Sequence, residues 1–200
     1  MEKSIVVYLP EGFADWEGAF LLPELRQAHK KVIIASATGE SVRSIGGLSV
    51  VPERSIQEVE PGSIEALILV GSDSWPDPKQ NQKVLELTGK LIKENVLVAG
   101  ICAATVALAR IGLLDNRPHT SNNLDLLKQL VPTYSGEKFY SKKLAVADGN
   151  LITASGVGAI EFTQAVMNHL KMFTADYRKH WFELFKNAVT PPPEFWDQGS

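Results

Sequence analysis

The chain has 200 residues, of which 44% are hydrophobic, and its formal net charge is −3 with acidic and basic residues intermixed. This size and composition predict one domain that can bury a complete core. The charge pattern leaves no basic stripe for a nucleic acid, and no run of about 18 apolar residues is available to cross a membrane. One cysteine and four histidines without metal-ligand spacing predict neither an internal disulfide nor a metal site. We therefore expect a cytoplasmic protein that acts on a small molecule and carries no cofactor.

Short apolar runs alternate with helical patterns from the amino terminus onward. Four of these runs are typical of parallel strands buried on both faces: residues 4–9, 31–37, 66–70 and 96–100. Residues 16–28 and 80–95 have the apolar spacing of crossover helices, and Pro23 is expected to kink or interrupt the first of them. Residues 41–52 predict a small hairpin or a paired excursion at a sheet edge.

The second half of the chain continues this alternation. Helical patterns are predicted in four further segments: residues 103–110, 124–131, 160–171 and 177–187. Strand-like residues 143–147 and 150–154 flank the turn pair Asp148-Gly149. The order of elements predicts an α/β fold, a three-layer α/β/α sandwich with a mostly parallel, flavodoxin-like sheet. We expect the main domain to span residues 1–175, with residues 176–200 forming a helical extension and tail of the same unit.

Cys102 is the most informative residue because it stands between an apolar strand and a helical segment. Gly100 and Ala104, two residues before and after it, are small enough for the strand and the helix to approach each other, as in a nucleophile elbow. A thiol at this bend lies beside the first amides of the helix, which predicts a pKa below the usual value of about 8.5. The alternative from the local pattern is a buried and inert thiol.

Three stretches of the chain together resemble the ThiJ/PfpI family, which has the class I glutamine amidotransferase-like fold. They occur in the family's order within residues 4–172: the elbow at 99–103, the segment 109–117, and the closing segment 151–156 followed by Glu161-Phe162. The resemblance implies that Cys102 is the nucleophile of an elbow. Members of the family are commonly dimers, which implies a homodimer.

Glu17 matches the position of the family's acidic partner of the cysteine. It follows the first strand, so its carboxylate would lie at the carboxyl edge of the sheet, beside the strand of Cys102. A carboxylic acid beside a thiol can share one proton with it, because two negative groups in contact do not both ionise cheaply. The alternative is that Asp15 and Glu17 only favour the positive amino end of their own helix.

Backbone donors for an oxyanion are predicted in two places. One is the amide of Ala103, at the start of the elbow helix, and the other is the loop after the third strand, where Gly71 permits a turn that exposes the amide of Ser72. Members of the family often have paired glycines here, so Ser72 departs from the pattern. Trp16 and Trp75 are candidate walls of the pocket, and packing is the alternative for Trp75.

The third catalytic partner is open. Protease-like members have a histidine directly after the cysteine, where this chain has Ala103, so a peptidase triad of that type is not expected. Other members have a histidine in a later stretch, and counting from residues 112–114 places that position at Asn122. His119 lies three residues earlier and needs a turn to reach the sulfur, because it points away from Asn122 in an extended segment. Both stay candidates; the alternative is a polar loop that caps the helix near Leu124.

Two classes of function remain. In the first, Cys102 of an enzyme attacks the carbonyl of a small amide or a reactive aldehyde such as a glyoxal, substrates that the resemblance implies, with Glu17 as proton partner. In the second, a non-enzymatic redox or stress-response protein, oxidation of Cys102 to sulfenic and sulfinic acid is the signal, and Glu17 bonds to the product. Without a firm base, aldehyde chemistry or oxidation fits better than amide cleavage.

Overall fold

The computed structural model describes residues 3–77 and 80–197, and a seven-stranded sheet lies at its centre. The strands, including the short separate pair β3 and β4, are β1 Ser4–Tyr8, β2 Val32–Ser36, β3 Val42–Arg43, β4 Ser49–Val50, β5 Arg54–Ser55, β6 Ile64–Leu69, β7 Leu97–Ile101, β8 Ala145–Asp148 and β9 Leu151–Ala154. The order in the large sheet is β5-β2-β1-β6-β7-β9-β8. All its pairs are parallel except the antiparallel pair β8 and β9.

Helices cover both faces of this sheet. They are α1 Asp15–Ala19, α2 Leu21–Gln27, α3 Gln82–Lys93, α4 Ala104–Arg110, α5 Leu124–Leu130, α6 Ala159–His169, α7 Ala175–Asn187 and α8 Glu194–Asp197. Apolar residues of α2, α6 and α7 pack on one face, and those of α3, α4 and α5 pack on the other. This arrangement confirms the predicted α/β/α sandwich. None of the helices in residues 3–77 and 80–197 is long and apolar enough to span a membrane.

The alternation of side chains along the central strands explains why their sequences are continuously apolar. In β1, Ile5 and Val7 join the core on the α2 face, whereas Val6 and Tyr8 join the core on the α3 face. Successive strand residues point to opposite faces, and here both faces are covered.

The predicted helix over residues 16–28 is in fact two helices, α1 and α2, that meet at Phe20. Pro23 is the third residue of α2 rather than the site of a kink. Its missing amide hydrogen costs little there, because the first amides of a helix have no partner within the helix.

The carboxyl-terminal helix α7 is fastened to the domain through a buried carboxylate. Trp181 Nε1–H donates to Glu24 Oε1 over 2.8 Å, and the Tyr177 hydroxyl donates to Glu24 Oε2 over 3.2 Å. Phe195, from the unpredicted helix α8, stacks on Tyr177 with ring centroids 4.6 Å apart. Tyr177, Trp181 and Phe195 therefore belong to the core on the α2 face, whereas Phe185 and Trp196 are exposed.

Candidate active site

The bend between β7 and α4 places Cys102 in a left-handed backbone conformation, with φ of 59°. Such a conformation costs free energy in a residue with a side chain and persists only where neighbours fix it. Here the Cys102 amide donates to Ala154 O over 2.9 Å, and its carbonyl oxygen accepts from the amide and hydroxyl of Thr105. A Cβ on Gly100 would lie 2.8 Å from Leu108 Cδ1, so a larger residue there would require the Leu108 side chain to shift. The structure therefore has the predicted elbow, with a partly exposed thiol.

Glu17 projects from α1 toward this thiol and is fully buried. Its Oε2 accepts a 2.6 Å hydrogen bond from the amide of Gly71. Among the described residues, no donor meets the distance and angle of a hydrogen bond to its other oxygen, Oε1. A Cβ on Gly156 would lie 2.8 Å from Cys102 Sγ and 3.2 Å from Glu17 Oε1, so these two atoms border the same small space. The carboxylate and the thiol thus face each other, with glycines on both sides.

The two groups determine each other's titration. Burial raises the pKa of Glu17, and the neighbouring Cys102 thiol and the donating Gly71 amide offset part of that rise. Burial, followed by the negative charge of Glu17, raises the pKa of Cys102 to about 11. Donation from Asn122 and from the amide of Ala103 acts in the opposite direction and is outweighed. The predicted lowering of the thiol pKa is therefore wrong in direction, because burial and the adjacent carboxylate both disfavour the thiolate.

Asn122 is the side chain of the 119–122 segment that reaches the sulfur. Its Nδ2–H donates to Cys102 Sγ over 3.2 Å, and its Oδ1 accepts from the amide of Gly156 over 2.7 Å. Asn122, which counting from residues 112–114 places at the family's histidine position, thus lies at the thiol.

His119, the other of the two candidates, lies away from the sulfur, so it is Asn122 and not His119 that reaches the thiol. Its ring is fully buried, with Nδ1 2.8 Å from Arg117 O and Nε2 2.6 Å from the Tyr134 hydroxyl. Because a carbonyl only accepts, Nδ1 carries the hydrogen and Nε2 accepts from Tyr134. Both ring nitrogens are occupied, and burial lowers the pKa of His119. The histidine holds two loops together and contributes no base.

The three residues of the predicted oxyanion hole, namely Gly71, Ser72 and Ala103, have different surroundings. The amide of Gly71 is already bonded to Glu17, so it serves the carboxylate rather than an oxyanion. The amide of Ala103 lies beside the Cys102 sulfur, where it acts to lower the pKa of the thiol, and it stays a candidate donor. The hydroxyl of Ser72 donates to Glu11 O and fixes the loop, while its amide stays a candidate donor.

The two candidate pocket tryptophans also differ. Trp16 is 50% exposed, and its Nε1–H donates to Gly156 O over 2.9 Å, which places it at the edge of the site. Trp75 is buried in the core on the α3 face, donates to Val70 O over 2.8 Å and packs against Tyr8. Trp75 is therefore a packing residue, and its prediction as a pocket wall is wrong.

Sequence reasoning missed the role of Gly156 in the site. This residue follows β9, which pairs with the strand of Cys102, and the carboxyl ends of parallel neighbours meet at one edge of the sheet. The pairing of β7 with β9, which a single sequence does not give, was the missing signal.

A cavity of about 480 Å³ lies near the carboxyl ends of β1 and β2 and the start of α3. Tyr8, Ser36 and Asn81 are among its lining residues, whereas Cys102, Glu17 and Asn122 are not. We therefore assign the candidate chemistry to the elbow and not to this cavity.

Comparisons with known proteins find relatives of this chain by sequence and by structure. The DJ-1/PfpI family profile matches residues 3–169. "Uncharacterized protease YoaZ" of Bacillus subtilis (strain 168) is 36% identical over 202 residues, covering 97% of this chain and 94% of the relative. "Protein/nucleic acid deglycase 2" of Escherichia coli (strain K12) is 26% identical over 158 residues, covering 77% and 89%. The crystal structure of a thiJ/pfpI family protein from Bacillus anthracis superimposes with a TM-score of 0.89 at 37% identity, covering 99% of this chain and 95% of that one. With a family match over most of its length and a close structural relative, the chain belongs to the DJ-1/PfpI family.

Proposed function

We propose that this protein is a cysteine-dependent enzyme acting on a small carbonyl compound, with Cys102 as the nucleophile and Glu17 as its proton partner. The observation that carries the proposal is the fully buried Glu17, whose Oε1 has no other partner among the described residues and borders the space of the Cys102 sulfur. A carboxylate with a raised pKa beside a nucleophile is suited to accept and return a proton near neutral pH.

In this mechanism the Glu17 carboxylate accepts the thiol proton as the sulfur attacks. The electron pair released from the S–H bond forms the C–S bond, and the carbonyl electron pair moves onto oxygen. The amides of Ala103 and Ser72 are the proposed donors to that oxyanion. With an aldehyde, the proton then passes from Glu17 to the oxyanion, and the product of the step is a hemithioacetal.

Reactive aldehydes are the favoured substrate class over amides. Addition to an aldehyde needs one proton carrier, whereas amide cleavage needs a proton for the departing amine and later a base for water. Glu17 is the one proton carrier that we place beside Cys102, because both ring nitrogens of His119 are engaged away from the sulfur. One relative is named a deglycase and another an uncharacterized protease, and the missing imidazole favours the first kind of chemistry for this chain.

The test is an assay of the purified protein against glyoxals and against small amides, with Cys102→Ser as the control. We expect turnover of a glyoxal that falls by roughly 10³-fold or more in the variant. Equal turnover in the two proteins, or activity on neither substrate class, would contradict the proposal.

A second candidate function is sensing of oxidation at Cys102. The free Oε1 of Glu17 and the amide of Asn122 could both bond to a sulfinic acid. The raised thiol pKa disfavours this role, because the thiolate is the species that peroxide oxidises. Stoichiometric sulfinate under mild peroxide, in a protein that turns over no substrate, would favour the sensor.

We also propose that the protein is a cytoplasmic homodimer. The excursion that carries β3 and β4 exposes Ile45, Leu48 and Val51 to 56%, 62% and 77%, and apolar side chains clustered along one segment favour burial against a second surface. Light scattering of the purified protein checks the dimer, and fractionation of the cells that produce the protein checks the location.

A further inference from the structure

A chain of hydrogen bonds joins the half-exposed indole of Trp16 to the sulfur of Cys102. Trp16 Nε1–H donates to Gly156 O over 2.9 Å, and the Gly156 amide donates to Asn122 Oδ1 over 2.7 Å. Asn122 Nδ2–H completes the chain by donating to Cys102 Sγ over 3.2 Å. Gly156 is therefore held at both its amide and its carbonyl group, and Asn122 uses both ends of its side chain within the site.

We infer that Asn122 is a positioning residue that fixes the sulfur of Cys102 to the loop of Gly156 and, through that loop, to Trp16 at the edge of the site. The inference rests on the proposed function and adds to it the residue that orients the nucleophile.

The chemistry of a side-chain amide suits this position. One planar group offers a donor at nitrogen and an acceptor at oxygen, and the two neighbours need one of each. The reversed orientation would place Oδ1 against the sulfur and Nδ2 against the amide of Gly156, so the observed orientation is the favourable one. A donor that faces the sulfur also stabilises the negative charge that develops as the thiol proton leaves.

A second contact fixes the segment that carries Asn122. The Ser121 hydroxyl lies 2.7 Å from Thr105 Oγ1, which in turn donates to the carbonyl oxygen of Cys102. The backbone beside Asn122 is thereby attached to the elbow itself. Donation from Asn122 lowers the pKa of Cys102, against the larger effects of burial and Glu17.

Two substitutions separate the two ends of the Asn122 side chain. Asn122→Asp keeps an acceptor for Gly156 but loses the donor to the sulfur, whereas Asn122→Ala loses both. The matched control is Asn123→Asp, because Asn123 Oδ1 accepts from Leu126 N to cap α5, and aspartate caps a helix equally well.

The first measurement is the rate of Cys102 alkylation by iodoacetamide as a function of pH. Losing a hydrogen bond to a charged group should raise the apparent pKa by about one unit in Asn122→Ala, which makes alkylation at pH 8 roughly tenfold slower. Asn122→Asp should shift the profile further, because it also adds a negative charge. Asn123→Asp should follow the wild type.

The second measurement is the indole N–H signal of Trp16 in the ¹⁵N spectrum, where the four tryptophans give four signals and Trp16→Phe assigns the one of interest. We expect this signal to move in Asn122→Ala and to keep its wild-type position in Asn122→Asp. A wild-type alkylation profile in Asn122→Ala would overturn the positioning role, and equal movement of the signal in both variants would overturn the link through Gly156. Neither measurement uses a substrate. The positioning role of Asn122 can therefore be confirmed or overturned even if the protein turns over no carbonyl compound.

Discussion

At the scale of single residues, the site depends on glycines that leave room for a thiol and a carboxylate. The place of Cys102 at the bend and of Glu17 beside it could be predicted, the first from small neighbours around a lone cysteine and both from the family resemblance. The direction in which the pKa of the Cys102 thiol shifts could not be predicted, because desolvation of the thiol depends on neighbours brought from other strands. The choice between His119 and Asn122 also required the structure, since a turn in the chain decides which side chain reaches the sulfur.

Gly156 gives the residue-scale prediction. A Cβ on this residue would lie 2.8 Å from Cys102 Sγ and 3.1 Å from Cys102 Cβ, closer than unstrained contacts allow. We expect Gly156→Ala to displace the sulfur or the loop and to slow turnover of the carbonyl substrate by about 10²-fold, the effect of misplacing a reacting group by about an ångström. Gly89→Ala is the control, because a Cβ there meets nothing within 4 Å. Equal turnover in the two variants would show that the space beside the sulfur is not critical.

At the scale of elements, most helices and strands follow from apolar periodicity, and the exceptions have physical reasons. The two-residue strand β5 is too short to show a pattern, and it is defined by its pairing with β2. Helix α8 follows a run of prolines and is fixed by the stacking of Phe195 on Tyr177. Helix α7 was predicted from its aromatic residues, but its attachment to Glu24 joins positions more than 150 residues apart and has no local signal.

The attachment of α7 predicts a pH dependence of stability. Burial raises the pKa of Glu24 above its usual value of 4.5, although donation from Trp181 and Tyr177 offsets part of the rise. A raised folded-state pKa contributes stability that is complete below the unfolded pKa and is lost as the pH rises through the folded value. The free energy of unfolding of wild type, relative to Glu24→Gln, should therefore be lower at pH 8 than at pH 4. Urea unfolding at both pH values checks this, and a pH-independent difference would contradict it.

At the scale of the whole molecule, the site is made where four segments that each follow a parallel strand meet at one edge of the sheet, with Asn122 added from the segment before α5. The helix after β1 supplies Glu17, the loop after β6 supplies Gly71, the bend after β7 supplies Cys102, and the loop after β9 supplies Gly156. Parallel strands bring these segments to the same edge, so the fold class predicted from the sequence already implied a shared site. Distances and charge states within it depend on the full packing of both layers.

The central claim is that Glu17 and Cys102 form one buried acidic pair that shares a proton. The most direct test is the pH profile of iodoacetamide alkylation of Cys102 in wild type and in Glu17→Gln. The glutamate charge raises the pKa of the thiol, so removing it should shift the profile of the variant to lower pH by about one unit or more. A variant profile that coincides with the wild-type profile, or lies at higher pH, would contradict the account.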